Sequence, residues 1–441
     1  MAYVPVAFIL AGMTAYTVLA GADFGAGLWT LLSFGRTGPA LRDHCRHAMG
    51  PVWEANHVWL IFVLVVCWTG YPAAFGSIMS TLAAPMLIAA IGIIFRGAAY
   101  ALRGASLSSR LSTRTAENLL GAGSLITPFA LGTAVGALAL GRVPVGNAAG
   151  DLLTSWLNPG SVLVGVLAIA FSGYLAAVYL AADAVRFSPS PAMASAFRLR
   201  ALYAGLASGA LALAGLLVMR SSGLDLFSRV PAVVFVVLSA VAGLGTLALC
   251  WVRRFGLARL TAALAVAAVV VGWAVAQAPR LLPGLTVTAA AAGRSTLVAL
   301  VVAVCCGAVV LVPSLVLLFT LFLRGRLDTP EHPVQASSGS GVSGGGGGGG
   351  VDGGSGSGVS GGAVVGPASV ASGRSRASGR SRAVGGGRVR ERGLGAVLGL
   401  VGGSGLLVFT DATWEHAIGV LLLVLCAVSA FALAMPSPGK E

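Results

Sequence analysis

Residues 50–75 read GPVWEANHVWLIFVLVVCWTGYPAAF, an apolar run long enough to cross a bilayer that opens on Glu54, Asn56 and His57 between Trp53 and Trp59. Its length and hydropathy predict a transmembrane helix, for which about 20 apolar residues suffice. The polar cluster at its start matters more. Hydrocarbon disfavours charge, so an ionisable side chain inside a span is read as functional unless a partner explains it. Asp23, in the preceding apolar segment, is the one other acid of the first two spans.

The rest of the 441 residues conform to that reading. Charged residues make up 10% and the mean hydropathy is +0.91, too little charge to solvate the surface of a soluble domain of this size. The apolar segments are continuous rather than alternating, which excludes a β-barrel. Spans are expected near 4–33, 52–76, 80–101, 118–140, 160–182, 201–219, 231–252, 257–276 and 296–323, nine in all. The chain is thus an all-α polytopic membrane protein. The first segment lacks a basic leader and continues past Asp23, so it reads as a span and not as a cleaved signal peptide.

Net charge is +14, and Lys440 is the only lysine. Fourteen arginines fall in one set of alternate loops, between Arg36 and Arg326, against five in the other (Arg142, Arg220, Arg229, Arg280, Arg294). The positive-inside rule then puts the N-terminus outside and residue 326 in the cytoplasm. Arginines at span ends, with no aromatic-laced patch, do not point to nucleic acid; the bilayer is the implied partner. The six cysteines form no metal-binding spacing and read as small buried hydrophobes.

Three segments follow: a membrane domain over 1–327, a linker over 328–393 and a terminal pair of apolar stretches over 394–436. The linker contains GSGVSGGGGGGGVDGGSGSG (339–358) and GRSRASGRSRA (373–383), which lack the apolar surface to offset ordering. The last segment, around the turn TDATWE (410–415), predicts an extra C-terminal helix or a helical hairpin of unknown role.

Candidate chemistry centres on the two acids. Helices 1 and 2 are antiparallel, so Asp23 and Glu54 fall at similar depth, where desolvation favours a carboxyl able to take and give a proton. Against this stands a structural ion pair with Arg96 or Arg103. His57, three residues after Glu54, shares its helix face and could relay protons or support Glu54. It is the only histidine in the nine spans, so haem held by two histidines of this chain is not expected. Asn56 reads as interhelical glue, Trp53 and Trp59 as interfacial or partner contacts. Gly21 and Gly25 form a small-xxx-small pattern that lets another helix approach. No catalytic motif or metal site appears.

The motifs GADFGAGLW (21–29), GPVWEANHVWLIF (50–62), IIFRG with LR (93–103) and APRLLPGLTV (278–287) resemble subunit II of the cytochrome bd-type quinol oxidases over about residues 1–327. The resemblance implies two four-helix bundles plus a peripheral helix. It also implies a heterodimer with a haem-bearing subunit I that oxidises quinol and reduces dioxygen to water. Haem b and haem d would lie in that partner and none in this chain; a structural quinone is left open. Glu54 maps onto the family's proton-path acid, with Asp23 the acid of the first motif. Where many members have Asp-Gly-Asn-Gln, this chain has Glu54-Ala55-Asn56-His57. A proton-coupled secondary transporter and a purely structural subunit are the alternatives.

Overall fold

Continuously apolar sequence folds here into long helices, because a helix satisfies every backbone polar group within its own segment. The computed structural model describes residues 1–48, 52–104, 110–186, 190–221 and 230–323; at some of these positions, 52–55 and 110–114 among them, it fixes the backbone alone. The linker and the terminal stretches of 394–436 lie outside the described residues. Described residues 1–306 form one compact unit, and 307–323 belong to a second.

The helices are α1 (Val4–Leu31), α2 (Gly38–Ala48), α3 (Val52–Gly70), α4 (Pro72–Thr81), α5 (Ala83–Gly104), α6 (Arg110–Ala139) and α7 (Pro159–Arg186). After them come α8 (Pro191–Ser221), α9 (Val230–Trp251), α10 (Phe255–Gln277), α11 (Val287–Ala290) and α12 (Arg294–Leu323). Among the described residues eight helices are long and apolar enough to span a membrane, α1, α5–α10 and α12, and α3 adds a shorter apolar stretch, Asn56–Gly70. The chain is an all-helical, multi-pass membrane protein.

Several expected boundaries change. The segment 52–76 stops at Gly70, and a separate short helix, α4, precedes α5. The cause is Pro72: the residue before a proline is pushed out of the helical region, and Tyr71 has φ −140° and ψ 64°. Tyr71 is fully buried there; its hydroxyl donates to the Ala2 carbonyl and accepts from the Val6 N–H at 3.2 Å. The break therefore pins the start of α1. In the other direction, α6 and α8 begin at Arg110 and Pro191, well before 118 and 201. Arginine and alanine are good helix formers, and arginine-rich turns carry the helices on beyond their apolar cores.

Helix α7 is central. It packs on α1, α6, α8 and α10, while α5 pairs with α6, α9 with α10 and α3 with α1. Between lipid-soluble surfaces, close approach of backbones drives packing, and the first motif supplies it. A Cβ at Gly25 would lie 1.9 Å from the Ser172 carbonyl oxygen of α7, so only glycine permits this crossing.

At the arginine-rich end, the segment read as a loop is the amphipathic α2. It buries Leu41 and Cys45 in the cluster built by Tyr174–Ala184 of α7, and the His44 Nε2 bonds the Leu180 carbonyl at 2.9 Å. Burial there pushes the Cys45 thiol up to about 12. At the opposite end, β1 (Arg280–Leu282) and β2 (Leu285–Thr286) form a hairpin turning at Gly284, whose φ is 78°. Leu282 and Val287 join Tyr71, Val143 and Trp156 in the cluster that closes this end.

Candidate functional site

The first motif places Asp23 on α1 and IIFRG places Arg96 on α5, 73 residues later in the chain. Arg96 is fully buried and the Asp23 side chain is 7% exposed. Arg96 Nη2 donates to Asp23 Oδ2 at 2.5 Å, and Nη1 donates to Ser124 Oγ on α6. Ser124 in turn donates to the Leu120 carbonyl at 2.6 Å. The guanidinium also lies over the Phe24 ring, 4.8 Å from its centroid, a cation–π contact that strengthens where water is excluded.

Glycines make room for this clasp. A Cβ on Gly27 would come within 2.0 Å of Ser124 Oγ, and one on Gly123 within 2.8 Å of Arg96 Cγ. The same small residues that bring α1, α5 and α6 together also leave the slot the arginine fills. Arginine stays charged in proteins, so Asp23 is the counter-ion that makes its burial tolerable. Of the two arginines proposed at the outset as partners for Asp23, Arg96 is the one found. Buried Asp23 Oδ1, Arg96 Nε and Tyr16 Oη have no hydrogen-bond partner among the described residues.

Helix α3 closes the other side of α1. Asn56 is buried and its Nδ2 makes a long contact of 3.5 Å to the Leu19 carbonyl, one turn before Asp23. The His57 ring meets Tyr16 and Phe24 edge-on, each with a centroid separation of 6.2 Å. Trp59 packs, half-buried, against the Tyr16, Ala20 and Phe24 cluster. The backbones of Trp53 and Glu54 form the first turn of α3; their side chains lie outside the described residues. So the structure gathers Asp23, Arg96, Asn56, His57 and Trp59 around one stretch of α1.

Several participants were not anticipated. Ser124, Phe24 and Tyr16 carry no signal of their own, although Phe24 adjoins Asp23. A second ion pair, Arg259 Nη2 with Asp183 Oδ1, joins α10 to α7, with Arg259 also donating to the Tyr179 carbonyl at 2.8 Å. A third group, Glu117 with Arg46 at 3.5 Å and Arg42 at 4.0 Å, ties α6 to α2. Among the described residues no group of three or more potential metal ligands occurs.

Comparison with known proteins gives this architecture its context. A curated relative, cytochrome bd ubiquinol oxidase subunit 2 of Bacillus subtilis (strain 168), is 30% identical over 114 residues, 26% of this chain and 33% of that protein. The match thus spans about a third of the relative. The structure of bd oxidase from Geobacillus thermodenitrificans shares the fold at a TM-score of 0.57 and 23% identity, over 73% of this chain and 98% of the matched one. The profile of the family described as cytochrome bd terminal oxidase subunit II matches residues 1–322. On that match, covering the whole described membrane region but its final residue, the chain belongs to the cytochrome bd terminal oxidase subunit II family.

Proposed function

We propose that this chain is the non-haem subunit of a bd-type quinol oxidase, working beside a haem-bearing subunit I in the bacterial cell membrane. Its first residue faces outward and its glycine-rich linker lies in the cytoplasm. Reduction of dioxygen to water takes up a proton for each electron delivered, so the haem chain needs a proton supply from the cytoplasm. Glu54 takes protons into that route and His57 lies on it. Haem b and haem d are held by subunit I, which also oxidises the quinol. The linker of 328–393 tethers the terminal stretches of 394–436 to the membrane domain of 1–327.

One observation carries this reading: Asn56 and His57, just past the first turn of α3, lie against the stretch of α1 that holds the buried ion pair. With Asn56 beside Leu19, Glu54 begins about 3 Å further along the antiparallel pair and Asp23 about 6 Å, at 1.5 Å per residue. The two acids therefore start within about one helical turn of each other in depth. Asp23, bonded to Arg96, serves as the fixed charge that keeps this place polar, and Asn56 holds α3 on α1. For Asp23 itself the ion pair favours a structural role, since taking up a proton would leave Arg96 buried without its counter-ion. The family match gives no support to a proton-coupled transporter.

The test is Glu54→Gln in the full complex purified in mild detergent. Oxygen consumption on reduced quinol falls about 100-fold or more, the scale of a lost acid–base group, with the b- and d-type optical bands retained. Unchanged turnover removes Glu54 from the proton route. Loss of the haem bands, or of the second subunit, makes its role structural.

A further inference from the structure

Four arginines line one concavity at the arginine-rich end of α7–α10. Arg186 ends α7, Arg253 and Arg254 make the turn between α9 and α10, and Arg259 follows one turn into α10. The concavity holds about 320 Å³, and among the described residues that line it none is a carboxylate. Arg259 is committed to Asp183. Arg253 and Arg254 are exposed, with Arg253 at φ 61°, a strained conformation for a side chain of this size that the tight turn imposes. The adjacent like charges of Arg253 and Arg254 repel one another, and an anion seated at this turn would offset that cost.

The rim says which kind of anion. Val185 is 54% exposed and Val252 60%, each next to an arginine in sequence, and Leu257, 51% exposed, lies two residues before Arg259. Trp251, 67% exposed, ends α9 with the Arg198 guanidinium 5.1 Å from its ring centroid. Exposed tryptophan and arginine at a helix end mark the head-group level of a bilayer. A phosphate bound here would sit where its own acyl chains can run down an apolar helix surface. Basic pockets between membrane helices are suited to such head groups.

We propose that this concavity binds the phosphodiester head group of an anionic phospholipid. Arg253 and Arg254 contact the phosphate oxygens, and Val185 and Leu257 flank the acyl chains. The site is independent of the proton route and survives its failure.

The experiment uses the full chain with whatever partner it retains, purified in mild detergent, stripped of lipid and observed by native mass spectrometry. Added dioleoylphosphatidylglycerol is retained in preference to dioleoylphosphatidylcholine. In Arg253→Gln/Arg254→Gln retention drops roughly tenfold, since each arginine near a lipid surface contributes appreciably; the doubly Lys-substituted chain keeps most of it. Equal retention by the Gln variant, or equal binding of the choline lipid, overturns the proposal. Inorganic phosphate displacing the lipid at equal concentration overturns the lipid as the source. Should the Gln variant misfold, a photoactivatable phosphatidylglycerol must label the unaltered chain at peptides near 185 and 252–260; labelling only elsewhere refutes the site.

Discussion

Asp23–Arg96 and Asp183–Arg259 are the same two residue types joined across helices, each with an aromatic ring beneath the guanidinium. They differ in how far surroundings outside the fold reach them. The first is sealed between α1, α5 and α6, with side chains 7% and 0% exposed; the second sits nearer the surface of α7 and α10, at 19% and 26%. A charge with no route to water cannot replace a lost partner, whereas a charge near the surface can. Identical chemistry is thus indispensable in one place and adjustable in the other.

The sharpest way to break that comparison is Arg96→Gln. It strands Asp23 and removes the donor to Ser124, so the folded chain should lose about 3–5 kcal/mol. Thermal unfolding followed by gel filtration in detergent should show little intact protein. A variant as stable as Arg259→Gln would abolish the distinction. Next in size is Gly27→Val, which drives a side chain into Ser124 and the Arg96 slot. Overpacking of this kind costs about 1–3 kcal/mol, and Gly209→Val, where a Cβ meets nothing within 4 Å, should cost far less. A melting difference between the two glycine variants measures the closeness of the clasp directly.

Arg259→Gln should cost about 1 kcal/mol or less, and the cost should shrink in high salt as for other accessible pairs. A salt-insensitive loss as large as that of Arg96→Gln would place this pair in the sealed class. The smallest effect belongs to a third aspartate, which has no cationic partner among the described residues. Asp151 is exposed, and the N–H groups of Leu153 and Thr154 donate to it at 2.9 Å and 2.6 Å. Those bonds hold its carboxyl below the ordinary carboxylate value. Its contribution is present above about pH 4 and disappears as pH falls through the depressed value. Asp151→Asn should therefore flatten the acid limb of a melting-temperature profile and leave the neutral region alone.

Helical spans, the chemistry of Asp23 and Arg96, and the glycine crossing were all legible in the residues. The two missed acids show why the remainder was not. Asp183 falls one residue beyond the expected end of the fifth apolar segment, 160–182, and Glu117 one residue before 118–140. Hydropathy ends a span where charge begins, but the helices continue to Arg186 and start at Arg110. Boundaries drawn on hydropathy push to the outside the very acids that pair with neighbouring helices. The break at Tyr71 was hidden for the opposite reason. Apolar character runs straight through it, and only the backbone restriction from Pro72 reveals the turn. Ser124 is chosen by its place opposite Gly27, a relation between distant segments that no local pattern contains.

The order in which the ribosome delivers the two halves of the sealed pair has a consequence for assembly. Asp23 enters the bilayer with the first hydrophobic segment, and Arg96 follows 73 residues later. At about 5–20 residues per second that gap lasts several seconds, during which a lone aspartate at depth is opposed by roughly 2.5–3.5 kcal/mol. That cost is carried by the apolar residues of α1 until the fifth helix, α5, brings Arg96 beside Asp23. Closure of that clasp then lifts the penalty, so a late-arriving segment secures an early one.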